Sequence, residues 1–83
     1  MENSINVILD RMGENIRAIR LMRNYSQDYL ALKLKISQNA YSKIELGRTK
    51  VSVEKLLTIA DVLDVDACEL IHPEPHKKTE VFN

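Results

Sequence analysis

Eighty-three residues, 45% of them apolar, make one small domain in which about 65% or less of the unfolded surface can be buried, so closely packed helices must supply the core. One Cys, two Gly, two Pro and no Trp exclude a disulfide framework and a glycine-rich nucleotide loop, and no apolar run reaches the roughly 18 residues of a membrane span. The zero net charge hides +6 between Arg11 and Lys50, offset by −2 ahead and −4 behind. That asymmetry predicts one local basic face with an acidic face turned away, the alternative being the mixed charge of ordinary helix surface.

Residues 1–12 read as an N-terminal extension. Ser4 can cap a short helix whose Ile5, Ile8, Leu9 and Met12 fall at i, i+3, i+4 and i+7, forming one apolar stripe that needs a cover. Interrupted by Asn6, the run from Ile5 to Leu9 is too short for the apolar core of a signal peptide, so a cytoplasmic protein is expected. Helix 1 is predicted over about 14–23, with Ile16 and Ile19 towards the core. A second helix opens at Ser26, where a capping hydroxyl can accept a backbone N–H, and puts Leu30, Ala31 and Leu34 on one face. Ser37 caps a third, over about 38–46, with Tyr41 and Ile44 inward. Only about three or four residues connect the two, a spacing that suggests a helix-turn-helix.

On helix 3, Gln38 and Ser42 share one outward strip and Asn39 and Lys43 the next. Amide side chains can bond adenine through N6 and N7, Lys can donate to guanine O6 and N7, and Ser adapts to either. Any surface helix shows polar residues outward, so base reading rests on the surrounding motif. Ser52 begins a fourth helix, in which Leu56, Leu57, Ile59, Ala60 and Leu63 carry more apolar surface than one stripe requires. Asp66 and Glu69 suit the start of a short last helix ending near Ile71, with Leu70 inward. Pro73 and Pro75 then stop it, leaving 73–83 as a C-terminal tail in which Val81 and Phe82 are the apolar residues. Cys68, His72 and His76 lie four apart, but the prolines break the helix that would align them. No metal and no cofactor site is expected, and Cys68 reads as a partly buried thiol.

Ser26-Gln27, Leu30-Ala31, Ser37, Ile44-Glu45 and Gly47 together match a known pattern, and the stretch resembles the lambda-repressor-like (Cro-type) helix-turn-helix DNA-binding family over about 13–71. The resemblance implies an all-α, five-helix domain over 13–72 with the helix-turn-helix formed by helices 2 and 3. It implies that Gln38, Asn39, Ser42 and Lys43 read base edges and that Gln27 binds phosphate at the start of helix 2, flanked by Arg48 and Lys50. Arg17 and Arg23 rank behind these because helix 1 lies farther from the duplex. Arg20 and Glu45 match the positions at which the family pairs helix 1 with the end of helix 3, a structural ion pair that orients the reading helix.

Departures from the family pattern carry their own expectations. Asn24 replaces the glycine that ends helix 1 and can still take the left-handed conformation. Lys35 stands in the inter-helix turn where the family favours Gly; a left-handed Lys at a cost of about 1 kcal/mol, or a slightly different turn, would each serve. Val51 replaces a proline ahead of helix 4. Leu21 and Met22 are apolar where the family is usually polar, which makes them a docking surface for the N-terminal extension. Packing within the monomer is the first expectation and exchange between two subunits the second. The implied function is a sequence-specific transcriptional regulator, a repressor acting as a homodimer on a two-fold symmetric operator of double-stranded DNA. The alternative is a protein-interaction module retaining the fold, such as an antitoxin or antirepressor partner. No enzyme is expected, since His72 and His76 lack a paired carboxylate or nucleophile. Nor does the chain leave room for a small-molecule effector domain.

Overall fold

Four short polar side chains set where helices begin. Ser26, Ser37 and Ser52 each accept a hydrogen bond from the backbone N–H three residues on, at 3.0, 3.0 and 3.1 Å, and Asp66 accepts from the Cys68 N–H at 3.4 Å. Each such cap contributes about 1 kcal/mol. The computed structural model describes residues 4–72. Among them are five α-helices and no strand: α1 (Ser4–Met22), α2 (Gln27–Leu34), α3 (Gln38–Glu45), α4 (Val53–Leu63) and α5 (Ala67–Ile71). The expected tail, with Val81, Phe82 and the third candidate metal ligand His76, lies outside the described residues.

Three helices end in the same way without a glycine. Asn24, Lys35 and Asp64 stand at φ 63°, 61° and 60°, a left-handed conformation that costs an L-residue roughly 1–2 kcal/mol. The next residue in each case offsets that cost. The N–H groups of Tyr25, Ile36 and Val65 reach back to the carbonyls of Arg20, Ala31 and Ala60 at 3.1, 3.0 and 3.0 Å, and all three side chains pack against the core. Lys35 is thus left-handed, and the inter-helix turn keeps its tight geometry because Ile36 anchors it.

The core is drawn from every helix: Met12 and Ile16 of α1, Leu30, Ala31 and Leu34 of α2, Tyr41 and Ile44 of α3, Ile59, Ala60 and Leu63 of α4, and Leu70 of α5. α1 packs on α3, α4 and α5, while α2 packs on α3 and α4. Polar ties add to this. Asn15 Nδ2 donates to the Leu70 carbonyl at 2.8 Å, and Arg23 Nε donates to the Leu63 carbonyl at 2.8 Å, satisfying the C-terminal end of α4 where a cation is favoured. Within α5 only Leu70 is fully buried, and Cys68 is exposed, a correction to the partly buried thiol.

The largest correction concerns the N-terminus. The expected short helix is not separate from helix 1: α1 runs unbroken from Ser4 through Gly13 to Met22, and Met12 is buried in the core. Gly13 serves close approach instead of a break. A β-carbon there would lie 2.7 Å from the Ile44 carbonyl oxygen and nearer still to that of Glu45. Burial along the apolar stripe then falls towards the start of the helix, from Met12 through half-buried Leu9 and Ile8 to Ile5, which is 70% exposed. Nor can the first turns fold back on Leu21 and Met22, which stay 48% and 73% exposed; a straight helix puts Val7 and Leu21 about 21 Å apart. Docking of the first turns on Leu21 and Met22 within the monomer is therefore excluded, and the stripe packs instead through Met12 and Leu9 against the core.

Gly13→Ala tests that close approach. In an open helix the change gains roughly 1 kcal/mol. Here it is expected to destabilise by about 1–3 kcal/mol, because the obstructing atoms are backbone carbonyls that cannot rotate away. Urea unfolding monitored by helical circular dichroism measures the sign, and a more stable Ala variant would show that α1 and α3 are farther apart.

Candidate nucleic-acid interface

α3 has two chemically distinct sides. Its inner side buries Tyr41, Ile44 and Glu45. The outer side exposes Gln38, Asn39 and Lys43, with Ser42 half-buried beside them. These four candidate base-reading groups are thus brought together on one helix surface.

Glu45 organises what lies beneath. Its Oε2 accepts from Arg20 Nε at 2.6 Å and from the Tyr41 hydroxyl at 2.5 Å, while its Oε1 accepts from Arg20 Nη2 at 3.1 Å and from Gln27 Nε2 at 3.0 Å. Four donors on one carboxylate from α1, α2 and α3 fix the three helices to one another. The third Arg20 nitrogen, Nη1, donates to the Tyr25 carbonyl at 2.9 Å, so the guanidinium also closes the α1–α2 turn. Neither charge is left wanting a partner, which is the condition for tolerating their burial.

Burial alone would raise the Glu45 carboxyl, but hydrogen bonds from Arg20, Tyr41 and Gln27, with the Arg20 charge, outweigh it and hold the group below the ordinary glutamate value. The same hydrogen bond to Glu45 raises Arg20 against the opposing effect of desolvation. Tyr41 is pushed up first by burial and then by its bond to the carboxylate, so it stays a donor. With a native value below the unfolded one, Glu45 contributes stability that is present above the ordinary glutamate value of about 4.3 and lost as pH falls through the native value. The parent is therefore expected to lose stability more steeply on acidification than Glu45→Gln, whose uncharged amide does not titrate. Denaturant midpoints between about pH 6 and 3 measure the difference, and parallel curves would contradict it.

Gln27 is placed differently from a free phosphate ligand. Its Nε2 is engaged by Glu45, and its Oε1 accepts from Gln38 Nε2 at 3.3 Å, so it bridges the buried carboxylate and the first residue of α3. Each amide nitrogen still has a second N–H. This bridge was not readable from sequence, where Gln27 and Gln38 stand eleven residues apart.

After α3 the chain turns at Gly47, at φ 72°. The Gly47 N–H donates to Ile44 at 3.1 Å and the Arg48 N–H to Lys43 at 2.9 Å, ending the helix and sending Arg48, Thr49 and Lys50 to the surface, where all three are exposed. A β-carbon at Gly47 would meet the side chain and α-carbon of Asp10, so the first half of α1 supports this basic loop, with Asn6 and Leu9 beside it. That support is a contribution of the extension that periodicity did not reveal. Arg23, ranked behind these cations, is committed to the end of α4.

The family model for helix-turn-helix proteins matches residues 16–70. The chain belongs to the Cro/C1-type helix-turn-helix family. This helix-turn-helix chain is 39% identical over 62 residues to the uncharacterized HTH-type transcriptional regulator YazB of Bacillus subtilis (strain 168), covering 75% of this chain and 90% of the relative. To the HTH-type transcriptional regulator AnsR of the same organism it is 35% identical over 71 residues, 86% of this chain and 58% of AnsR. Among solved structures, the restriction-modification controller protein C.AhdI from Aeromonas hydrophila superposes with a TM-score of 0.70 at 29% identity, over 75% of this chain and 94% of that one. The clp gene regulator ClgR from C. glutamicum shares the fold, with a TM-score of 0.74 over 90% and 96% of the two chains at 20% identity. The protein is accordingly a transcriptional regulator built on a helix-turn-helix DNA-binding domain, not an enzyme. No helix among the described residues is long and apolar enough to cross a membrane.

Proposed function

We propose that the chain is a cytoplasmic, sequence-specific reader of double-stranded DNA that acts as a homodimer on a two-fold symmetric operator and represses by occupying promoter DNA. The observation that carries the reading is the outward grouping of Gln38, Asn39, Ser42 and Lys43 on a helix whose inner side is anchored by the Arg20–Glu45 pair. In a major groove Gln38 and Asn39 offer paired amide contacts to adenine, Lys43 donates to guanine, and Ser42 fills between them. Gln27 and the loop cations Arg48 and Lys50 hold phosphates on either side, giving affinity that weakens with salt and carries no sequence information. Two-fold pairing is a matter of scale: one reading helix spans a few base pairs, and a dimer reads half-sites about 34 Å apart.

Selection from a random duplex library at moderate salt tests this. A two-fold symmetric sequence should be enriched. Enrichment of no sequence would turn the reading towards a protein-interaction module such as an antitoxin or antirepressor partner, with residual binding left to phosphate contacts.

A further inference from the structure

No element among the described residues covers one line of side chains along α1. Val7, Arg11, Glu14, Ala18 and Leu21 succeed one another at intervals of four, three, four and three residues, the spacing that lets two helices lie side by side along a shared seam. α3 and α5 flank this line without covering it: Gly13 lies against the end of α3, Asn15 against Leu70, and Val7, Arg11 and Glu14 border an open cleft with Ile71 and His72 at the end of α5. All five seam residues are exposed, Val7 by 45% and Leu21 by 48%. Arg11 and Glu14 make no ion pair among the described residues. Val7, Arg11 and Glu14 also lie ahead of the part of the chain that the family model matches.

We infer that this seam is where a second copy of the chain docks, with the two α1 helices antiparallel. Charge complementarity selects the partner and its direction. In an antiparallel pair the two alternating seam positions face each other, which sets Arg11 opposite Glu14 of the second copy and repeats that pair across the two-fold axis. Val7 then lies over Ala18 of the second copy on either side, a large group against a small one. A parallel pair would instead set Arg11 against Arg11 and Glu14 against Glu14, so the seam attracts itself in one orientation and repels itself in the other. Continuity of α1 excludes the monomer's own first turns as the cover for Leu21, at the far end of this seam, and for Met22 beside it. The inference rests on the proposed homodimer and names its surface.

Charge reversal of the full chain tests it, with association read by sedimentation velocity and folding by helical circular dichroism. Arg11→Glu and Glu14→Arg are each expected to raise the dimer dissociation constant about tenfold or more, since each places like charges across both central contacts. Mixing the two variants in equal amounts should restore association, because each carries the charge the other lacks. The double variant R11E/E14R should restore it within a single chain. Rescue cannot come from a variant that merely misfolds. Single variants that associate like the parent, a mixture no tighter than its components, or a monomeric parent would each overturn the inference. Library selection on the parent is independent of these outcomes: association through the seam without an enriched duplex removes the DNA reading and leaves the interface standing.

Discussion

Arg20→Ala is expected to cost about 3–5 kcal/mol, because it strands the Glu45 carboxylate among buried groups after removing two of its four donors. It also removes the donor to the Tyr25 carbonyl that closes the α1–α2 turn. Small domains are stable by roughly 5–15 kcal/mol in all, so the variant should sit near the edge of folding. Arg20→Lys separates charge from shape. A single ammonium keeps the attraction but cannot supply Nε, Nη1 and Nη2 contacts from one rigid plane, and it is expected to recover only part of the loss. Urea unfolding of the three proteins measures the order. Since Glu45 also holds Gln27, and Gln27 accepts from Gln38, affinity for an enriched duplex should fall with stability. Parent-like stability and affinity in the Ala variant would show that the pair does neither.

The opposite pattern is expected when Gln38, Asn39 and Lys43 are all changed to Ala. These side chains are exposed on the outer side of α3, and substitutions at such positions typically move stability by no more than about 0.5 kcal/mol each. Recognition should nevertheless collapse. A good bidentate base contact is worth about 1–3 kcal/mol of discrimination, so losing the set should bring the affinity for a selected site to within about tenfold of that for unrelated duplex. Binding that survives should be steeply salt-dependent, as expected of Arg48, Lys50 and the N–H groups at the start of α2. Direct comparison of selected and scrambled duplexes at fixed salt decides the matter. Retained preference for the selected site would move base reading away from α3.

Helix starts were legible because a cap is local: a Ser or Asp ahead of an apolar repeat carries its own explanation, as at Ser26, Ser37, Ser52 and Asp66. Left-handed helix ends were less so. Lys35 has no feature that distinguishes it from an ordinary helical Lys, and what holds it is the packing of the next residue, Ile36, against a core assembled from distant parts of the chain. Gly13 is opaque for a related reason. A glycine in sequence announces freedom from a side chain, and only the carbonyls of Ile44 and Glu45, 31 and 32 residues away, show that the freedom is used for contact. In the candidate interface, the spacing along α3 showed which side chains share a face. The link from Gln38 through Gln27 to Glu45 was invisible, because it joins three helices at a point that no repeat describes.

Polar ties from α1 and the turn that ends it reach three different helices. Asn15 holds α5, Arg20 holds α3 and Arg23, the first residue after α1, holds α4, and the groups lie within nine consecutive residues. Rotating or sliding α1 would strain all three at once, so adjoining helices cannot adjust separately through it. For a protein that must present a reading surface to DNA, the consequence is entropic. Little backbone freedom remains to be lost on α3 when a duplex arrives, and the free energy of its contacts is available for affinity instead of being spent on ordering the helix that makes them.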